Sequence, residues 1–235
     1  MIIDIKQGQY FLVDKPYTWT SFQVVKKLKS SIRKLTGEKK FKIGHAGTLD
    51  PLASGLLIVC LGKWTKQIES FQALDKVYTG SFHLGATTKS FDMEHEEDRT
   101  YPTDHITENL ILDTAKSFLG EQDQVPPVYS ALKIGGKRLF SYAREDKEVE
   151  IKIKRVNIYE FDITKIELPV VFFRIKCSKG TYIRSIARDF GDRLNSGAYL
   201  SSLRRESIGE YKVSDALSPD ALSEEILKSE YKTEE

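Results

Sequence analysis

The sequence predicts a protein of the α+β class. Helix-like and strand-like segments are mixed along the 235 residues, without the regular strand–helix alternation of a doubly wound parallel sheet. Hydrophobic residues make up 40% of the chain and charged residues 30%, as in ordinary globular proteins. We find no internal repeat and no low-complexity linker. These observations predict one domain, large enough to be a catalytic domain.

The N-terminal part predicts a strand, an amphipathic helix and a loop. Residues 10–14 combine aromatic and β-branched side chains and are followed by a Lys-Pro pair, which indicates a short buried strand. Thr20 or Ser21 can cap the helix that follows, and Gly37 ends it. The apolar face of this helix is predicted to comprise Phe22, Val25, Leu28, Ile32 and Leu35. Residues 42–55 contain three glycines and a proline and are expected to form a loop.

The later elements are predicted from two periodicities, the three- or four-residue spacing of apolar residues in helices and their two-residue alternation in strands. Residues 56–61 form either a buried strand or a short buried helix, which periodicity cannot decide. The other predicted strands are 76–84, 148–163, 170–177 and a pair within 199–213. The other predicted helices are 107–119, 139–144 and 182–194.

Charge is unevenly distributed, although the net charge is only +2 at pH 7. Residues 26–42 hold eight basic residues against one acidic, and residues 174–188 hold five basic and no acidic. A single basic cluster is also typical of a solvated helix face. Two clusters that flank glycine-rich loops favour a polyanion, and in particular nucleic acid, as the partner.

Several kinds of chemistry lack their sequence motifs here. There is no Walker phosphate loop, dinucleotide fingerprint, G-x-S-x-G elbow or H-E-x-x-H metal motif. Cys60 and Cys177 are too few for a disulfide framework or a cysteine-based zinc site. The longest apolar run has six residues, against about twenty for a membrane helix, and no signal peptide is visible. We therefore expect a cytoplasmic protein without a metal or a cofactor.

The most distinctive segment is GHAGTLDPLASG, residues 44–55. Asp50 lies between a glycine-rich turn and Pro51, and the proline restricts the backbone at both positions. Leu49 and Leu52 beside it would exclude water and strengthen any charge interaction that Asp50 makes. Since an isolated Asp-Pro pair is commonly a turn or a helix cap, the segment taken alone leaves both interpretations open.

This segment closely resembles the active-site motif of the TruB family, the bacterial tRNA pseudouridine-55 synthases. Further matching motifs are DKP (14–16), DKVY (75–78), QVPPVYSALK (124–133), CSKGTYIRS (177–185) and LRR (203–205). The resemblance implies the pseudouridine synthase catalytic fold, a central mixed, mainly antiparallel sheet flanked by helices and RNA-binding loops, in a single domain over residues 1–235. It also implies isomerisation of uridine-55 in the T-arm loop of tRNA, which requires neither redox change nor added atoms.

The resemblance implies a role for each candidate site residue. Asp50 is the essential carboxylate, either as a nucleophile or as the base that removes a sugar proton. Arg184 is expected to be its cationic partner and to hold a phosphate of the target nucleotide. Tyr78, the third implied catalytic residue, is expected to stack on the flipped uracil and to assist removal of the proton from C5. The implied substrate-binding residues are His45, Tyr182, Leu203 and Lys15. A thumb-like insertion, residues 124–150, is expected to bind RNA phosphates through Lys133, Lys137, Arg138 and Arg144.

The same resemblance leaves other possibilities open. Many family members carry a C-terminal PUA-type domain, for which the acidic stretch after Glu206 is too short, so we expect none. The expected partner is the T-arm stem-loop, bound by a monomer. The alternative is a non-catalytic RNA-binding protein or tRNA folding chaperone, which differs from an enzyme at Asp50. A two-carboxylate glycosidase is less favoured, because no second acid shares the Asp50 loop.

Overall fold

The computed structural model describes residues 1–130, 133–134, 137–138 and 151–232, and for 133–134 and 137–138 the backbone only. The helices are α1 (Ser21–Thr36), α2 (Ile68–Ala73), α3 (Glu108–Lys116), α4 (Ile183–Arg193) and α5 (Pro219–Leu227). The strands are β1 (Ile2–Ile3), β2 (Tyr10–Lys15), β3 (Ile43–His45), β4 (Ala53–Leu61), β5 (Lys76–Leu84), β6 (Ala86–Thr88), β7 (Glu97–Thr100), β8 (Gly120–Gln124), β9 (Lys133–Ile134), β10 (Lys137–Arg138), β11 (Lys154–Glu167), β12 (Val170–Cys177), β13 (Ala198–Ile208), β14 (Tyr211–Lys212) and β15 (Glu230–Tyr231). This mixture confirms the α+β class.

The chain divides into two compact units, which are Met1–Lys76 with Arg204–Glu235, and Val77–Leu203. In the first unit, β2 and β4 are antiparallel neighbours, and β4 lies beside the last residues of β13. Helices α1 and α5 pack together through the hydroxyl groups of Ser31 and Ser223, and their apolar faces cover the sheet. The core of this unit contains Ile3, Phe11, Val13, Val24, Leu28, Ile32, Leu57, Val59, Leu61, Leu222 and Ile226.

Helix α1 begins and ends where the sequence predicts. The Thr20 side chain accepts a hydrogen bond from the Gln23 amide, and the Gln23 side chain completes a capping box. Gly37 ends the helix in the left-handed conformation, with φ of 73°. The predicted apolar face is wrong at one position, because Phe22 is 70% exposed while Val25, Leu28 and Ile32 are buried. Phe22 lies on the first turn, beyond the edge of the buried face.

In the second unit the strand order is β13, β5, β12, β11, β8, and the pairs β11–β12 and β11–β8 are antiparallel. Five phenylalanine rings form an aromatic core among β5, β11, β12, α4 and the end of α3, with centroids 4.3 to 6.4 Å apart. They are Phe82, Phe118, Phe161, Phe173 and Phe190. A short antiparallel hairpin, β6–β7, lies between β5 and α3 in the chain.

Two sequence predictions differ from the structure, and one that the sequence leaves open is decided by it. Residues 42–55 are not entirely loop, because they include β3, which pairs antiparallel with residues 59–61 of β4, and the first residues of β4 itself. This pairing satisfies backbone groups of β3. Residues 56–61 are strand, as part of β4. Of the strand predicted at 148–163, residues 148–150 lie outside the described residues, and β11 runs from Lys154 to Glu167, where its ladder with β12 ends. The helix predicted at 139–144 lies outside the described residues, as does most of the insertion at 124–150.

None of the described helices is long and apolar enough to cross a membrane.

Candidate active site

Asp50 lies in the first unit, on the loop of residues 46–52 between β3 and β4. The backbone of this loop is held at both ends, because the Ala46 amide donates to the Ile58 carbonyl at 2.8 Å and the Ala53 amide donates to the Asp50 carbonyl at 3.1 Å. The Thr18 amide donates to the Pro51 carbonyl at 2.9 Å. The side chain of Asp50 is half-buried. The loop thus presents a carboxylate on a backbone with little freedom.

Lys15, the last residue of β2, hydrogen-bonds to the same loop. Its side chain is fully buried, and its ammonium donates to the carbonyls of Trp19 at 2.5 Å, Pro16 at 3.1 Å and Pro51 at 3.5 Å. Burial lowers the pKa of Lys15 from 10.5 to about 8; the Asp50 carboxylate raises it and Arg205 lowers it further. Lys15 therefore contacts Pro51, the residue that follows Asp50, and the charge of the Asp50 carboxylate raises the pKa of Lys15.

Ser21 and Arg205 anchor the loop on its other sides. The Ser21 hydroxyl, at the start of α1, donates to the Leu49 carbonyl at 3.1 Å and accepts from the Leu49 amide at 2.9 Å. Arg205 on β13 is 2% exposed and donates to the carbonyls of Leu56 at 2.7 Å and Gly47 at 3.3 Å. The residues before and after Asp50 are consequently fixed by side chains from α1 and β2, and the glycine turn by one from β13.

A second arginine of β13 forms a surface pair with β2. Arg204 donates to both carboxylate oxygens of Asp14, at 2.8 and 3.1 Å, in the parallel two-bond geometry that suits a guanidinium. The pair raises the pKa of Arg204 and leaves the group charged. Both side chains are about one-third exposed, so the pair contributes modestly to stability. Asp14 is the residue before Lys15 at the end of β2.

His45 ends β3 immediately before the Asp50 loop. Burial lowers the pKa of His45, the charge of Arg205 lowers it further, and a hydrogen bond with the Gly47 backbone opposes both effects. The imidazole is therefore neutral at pH 7. Its Nδ1 is buried and has no hydrogen-bond partner among the described residues. Such a group can accept or donate one hydrogen bond to a bound polar molecule.

Arg184 lies in the second unit, in the first turn of α4, and is 5% exposed. Its guanidinium donates to the carbonyls of Ser90 at 3.2 Å and Tyr129 at 2.9 Å, and its Nε lies 3.5 Å from the buried carboxylate of Asp92. A buried guanidinium needs such a charged partner, because an unpaired charge is costly to bury. Arg184 therefore joins α4 to the segment after β6 and to the segment after β8. Its predicted pairing with Asp50 stays a prediction.

The other predicted residues of the second unit lie just before α4, on β5 and on β13. Tyr182 precedes α4, and the Gln124 side chain holds its backbone in both directions, accepting from its amide at 2.8 Å and donating to its carbonyl at 3.1 Å. The Lys154 ammonium lies 5.3 Å from the centre of the Tyr182 ring. Tyr78 on β5 is buried, and Leu203 on β13 is half-buried.

The predicted RNA-binding residues lie in a segment that is only partly described. The backbones of Lys133, Lys137 and Arg138 belong to the two-stranded ladder β9–β10, in which Lys137 pairs with Ile134. Arg144 lies outside the described residues. The phosphate-binding role of all four stays a prediction.

Sequence reasoning did not identify four of the residues that position these side chains, namely Ser21, Asp92, Gln124 and Arg205. Each acts on a partner more than twenty-five residues away, so no local pattern marks it. A motif signal existed for Gln124, the first residue of QVPPVYSALK, and for Arg205, which is within LRR, while Ser21 was marked only as a possible helix cap. Within the described ranges, no group of three or more His, Cys, Asp or Glu side chains is arranged to hold a metal ion.

Comparison with known proteins gives consistent matches. Residues 33–183 match the model of the TruB family pseudouridylate synthase (N terminal domain). The chain is 56% identical over 212 residues to tRNA pseudouridine synthase B of Flavobacterium johnsoniae, covering 90% of this chain and 93% of that protein. It is 47% identical over 228 residues to tRNA pseudouridine synthase B of Phocaeicola vulgatus, covering 97% of each.

Solved structures show the same fold. A Cbf5-Nop10-Gar1 complex matches with a TM-score of 0.68 and 30% identity, over 91% of this chain and 52% of that chain. An H/ACA RNP bound to a substrate RNA containing 2'-deoxyuridine matches with a TM-score of 0.68 and 27% identity, over 94% of this chain and 53% of that chain. This chain thus spans about half the length of those solved chains.

Proposed function

Because the chain belongs to the TruB family of pseudouridylate synthases, we propose that it is a tRNA pseudouridine synthase that converts uridine-55 of the T-arm loop to pseudouridine. Two relatives named tRNA pseudouridine synthase B match it over 93% and 97% of their own length, which supports the same activity for the whole chain. In this reaction the N1–C1′ bond breaks, the C5–C1′ bond forms, and the proton of C5 is replaced by one on N1. No atom is gained overall.

The observation that carries the proposal is the anchoring of Asp50. Both of its neighbours in the chain are held from outside the loop, Leu49 by Ser21 and Pro51 by Lys15. Preorganisation of this kind is what a reacting carboxylate requires, because a displacement of about 1 Å can cost 10²-fold in rate. A turn or cap residue needs no such support. We propose Asp50 as the residue that acts on the ribose or the base.

The remaining roles follow from the family. We propose that Arg184 interacts with Asp50 and with a target phosphate, and that Tyr78 stacks on the everted uracil, with His45, Tyr182 and Leu203 shaping its pocket. Lys15 is proposed to support the Asp50 loop. Lys133, Lys137, Arg138 and Arg144 would bind phosphates of the T-arm. We also propose that the protein is a monomeric, single-domain, cytoplasmic enzyme that uses no metal or cofactor.

The test compares Asp50→Asn with the wild-type protein on a T-arm stem-loop transcript. We expect Asp50→Asn to bind the RNA within about threefold of wild type, because it changes one charge, and to form no pseudouridine by carbodiimide mapping. Asp104→Asn, which changes an exposed aspartate before α3, is the matched control and should remain fully active.

Two outcomes would contradict the proposal. A wild-type protein that binds the T-arm but leaves it unmodified would favour the RNA-binding or chaperone function. Release of free uracil would indicate a glycosidase instead.

A further inference from the structure

The exposed side of α1 carries a line of one aromatic and three basic side chains, Phe22, Lys26, Lys29 and Arg33, which we call the basic stripe. All four are exposed, Phe22 by 70%. Their spacings of four, three and four residues place them along one side of a helix. Helix α1 contains no acidic residue.

Helix stability does not explain this pattern. Lys29 and Arg33 are like charges four residues apart, an arrangement that weakens a helix. Of the five basic side chains on α1, only Lys27 has a carboxylate partner within the described part of the chain, which is Asp220 of α5. The Lys29 ammonium also lies 5.8 Å from the centre of the Phe41 ring, a contact that leaves its charge without a carboxylate among the described residues. An exposed phenylalanine next to such cations suits a ligand that is both anionic and flat.

The basic stripe starts next to the candidate site. Ser21, the residue before Phe22, is the one whose hydroxyl holds both backbone groups of Leu49, the neighbour of Asp50. From Phe22 to Arg33 the helix rises about 16 Å, at 1.5 Å per residue. An RNA whose target nucleotide lies at Asp50 can therefore extend its phosphate backbone along α1 within the first unit.

We propose that the basic stripe binds the sugar–phosphate backbone of the substrate RNA next to the everted nucleotide, with Phe22 packed against an unpaired base or its ribose. The inference rests on the proposed function and adds a second contact surface to it. Lysine and arginine neutralise phosphates, and aromatic rings stack on bases regardless of sequence. An anionic membrane fits less well, because an interfacial helix inserts its apolar face, whereas that of α1 is buried in the core.

The experiment measures binding of a full-length unmodified tRNA transcript over a series of salt concentrations. The triple variant Lys26→Gln, Lys29→Gln, Arg33→Gln keeps good helix formers on α1, so its folding is preserved and is checked by thermal unfolding. We expect its slope of log K against log salt to fall by about 2 to 3, and its affinity at 0.1 M salt to fall by about 10- to 100-fold. Phe22→Ala should lower the affinity about fivefold or more without changing the slope.

The matched control removes three exposed lysines from elsewhere in the same unit, Lys66→Gln, Lys212→Gln and Lys228→Gln. It loses the same net charge, so an equal loss of tRNA affinity in both triple variants would overturn the proposal. So would unchanged tRNA binding in the stripe variant, whether or not it loses binding to phosphatidylserine vesicles. Pseudouridine formation by the wild-type protein is measured in parallel, and its absence would contradict the proposed function instead.

Discussion

Replacing Gly55 by alanine tests whether the close approach of β4 and β13 fixes the Asp50 loop. Gly55 has φ of +104°, and a Cβ there would lie 2.4 Å from the carbonyl oxygen and 2.7 Å from the amide nitrogen of Arg205. Ordinary contact begins at 3.4 Å, so the two backbones must separate by roughly 1 Å. That shift lengthens the bonds that Arg205 makes to Leu56 and Gly47.

The expected cost has two parts. The left-handed backbone costs an alanine about 1–2 kcal/mol, and weakening about two hydrogen bonds adds roughly 0.5–1.5 kcal/mol each, giving about 2–5 kcal/mol in the free energy of unfolding. Gly37→Ala is the control, because Gly37 also has positive φ but no atom lies within 4 Å of its added Cβ. It should cost only about 1–2 kcal/mol.

Urea unfolding and single-turnover pseudouridine formation at saturating tRNA measure the two effects. The displaced loop should slow turnover by about 100-fold in Gly55→Ala, and Gly37→Ala should react at the wild-type rate. Equal destabilisation of the two variants, with near-normal turnover in both, would refute the idea that the contact between β4 and β13 positions Asp50.

Two further predictions concern the buried cations. Because burial lowers the pKa of Lys15 from 10.5 to about 8, the folded protein loses this proton at lower pH than the unfolded chain. The stability of wild type relative to Lys15→Met should therefore rise from pH 8 to pH 10.5, by up to about 3 kcal/mol in urea unfolding; a difference independent of pH would show that the ammonium is not desolvated. Arg184→Lys should slow single turnover by about 100-fold with little loss of tRNA affinity, because one ammonium cannot bond Ser90, Tyr129 and Asp92 together. Near-wild-type turnover would remove Arg184 from the site.

Local patterns were sufficient for most elements and for the motif that names the family. Thr20 and Gly37 mark the ends of α1 because capping depends on a few adjacent residues. The strand at 76–84 agrees with β5 at both ends, and that at 170–177 with β12. The Asp50 segment was recognisable because its glycines and proline restrict the same short stretch of backbone.

Only the tertiary structure decided how the candidate site is supported. The sequence alone indicated α+β architecture, a basic helix and a rigid Asp-Pro loop. It could not show that Ser21 bonds Leu49, that Arg205 bonds Gly47, that Arg184 is buried against Asp92, or that Phe22 faces solvent. Buried polar groups must find hydrogen-bond partners, and those partners come from residues distant in sequence that meet only when the strands pair and the helices pack.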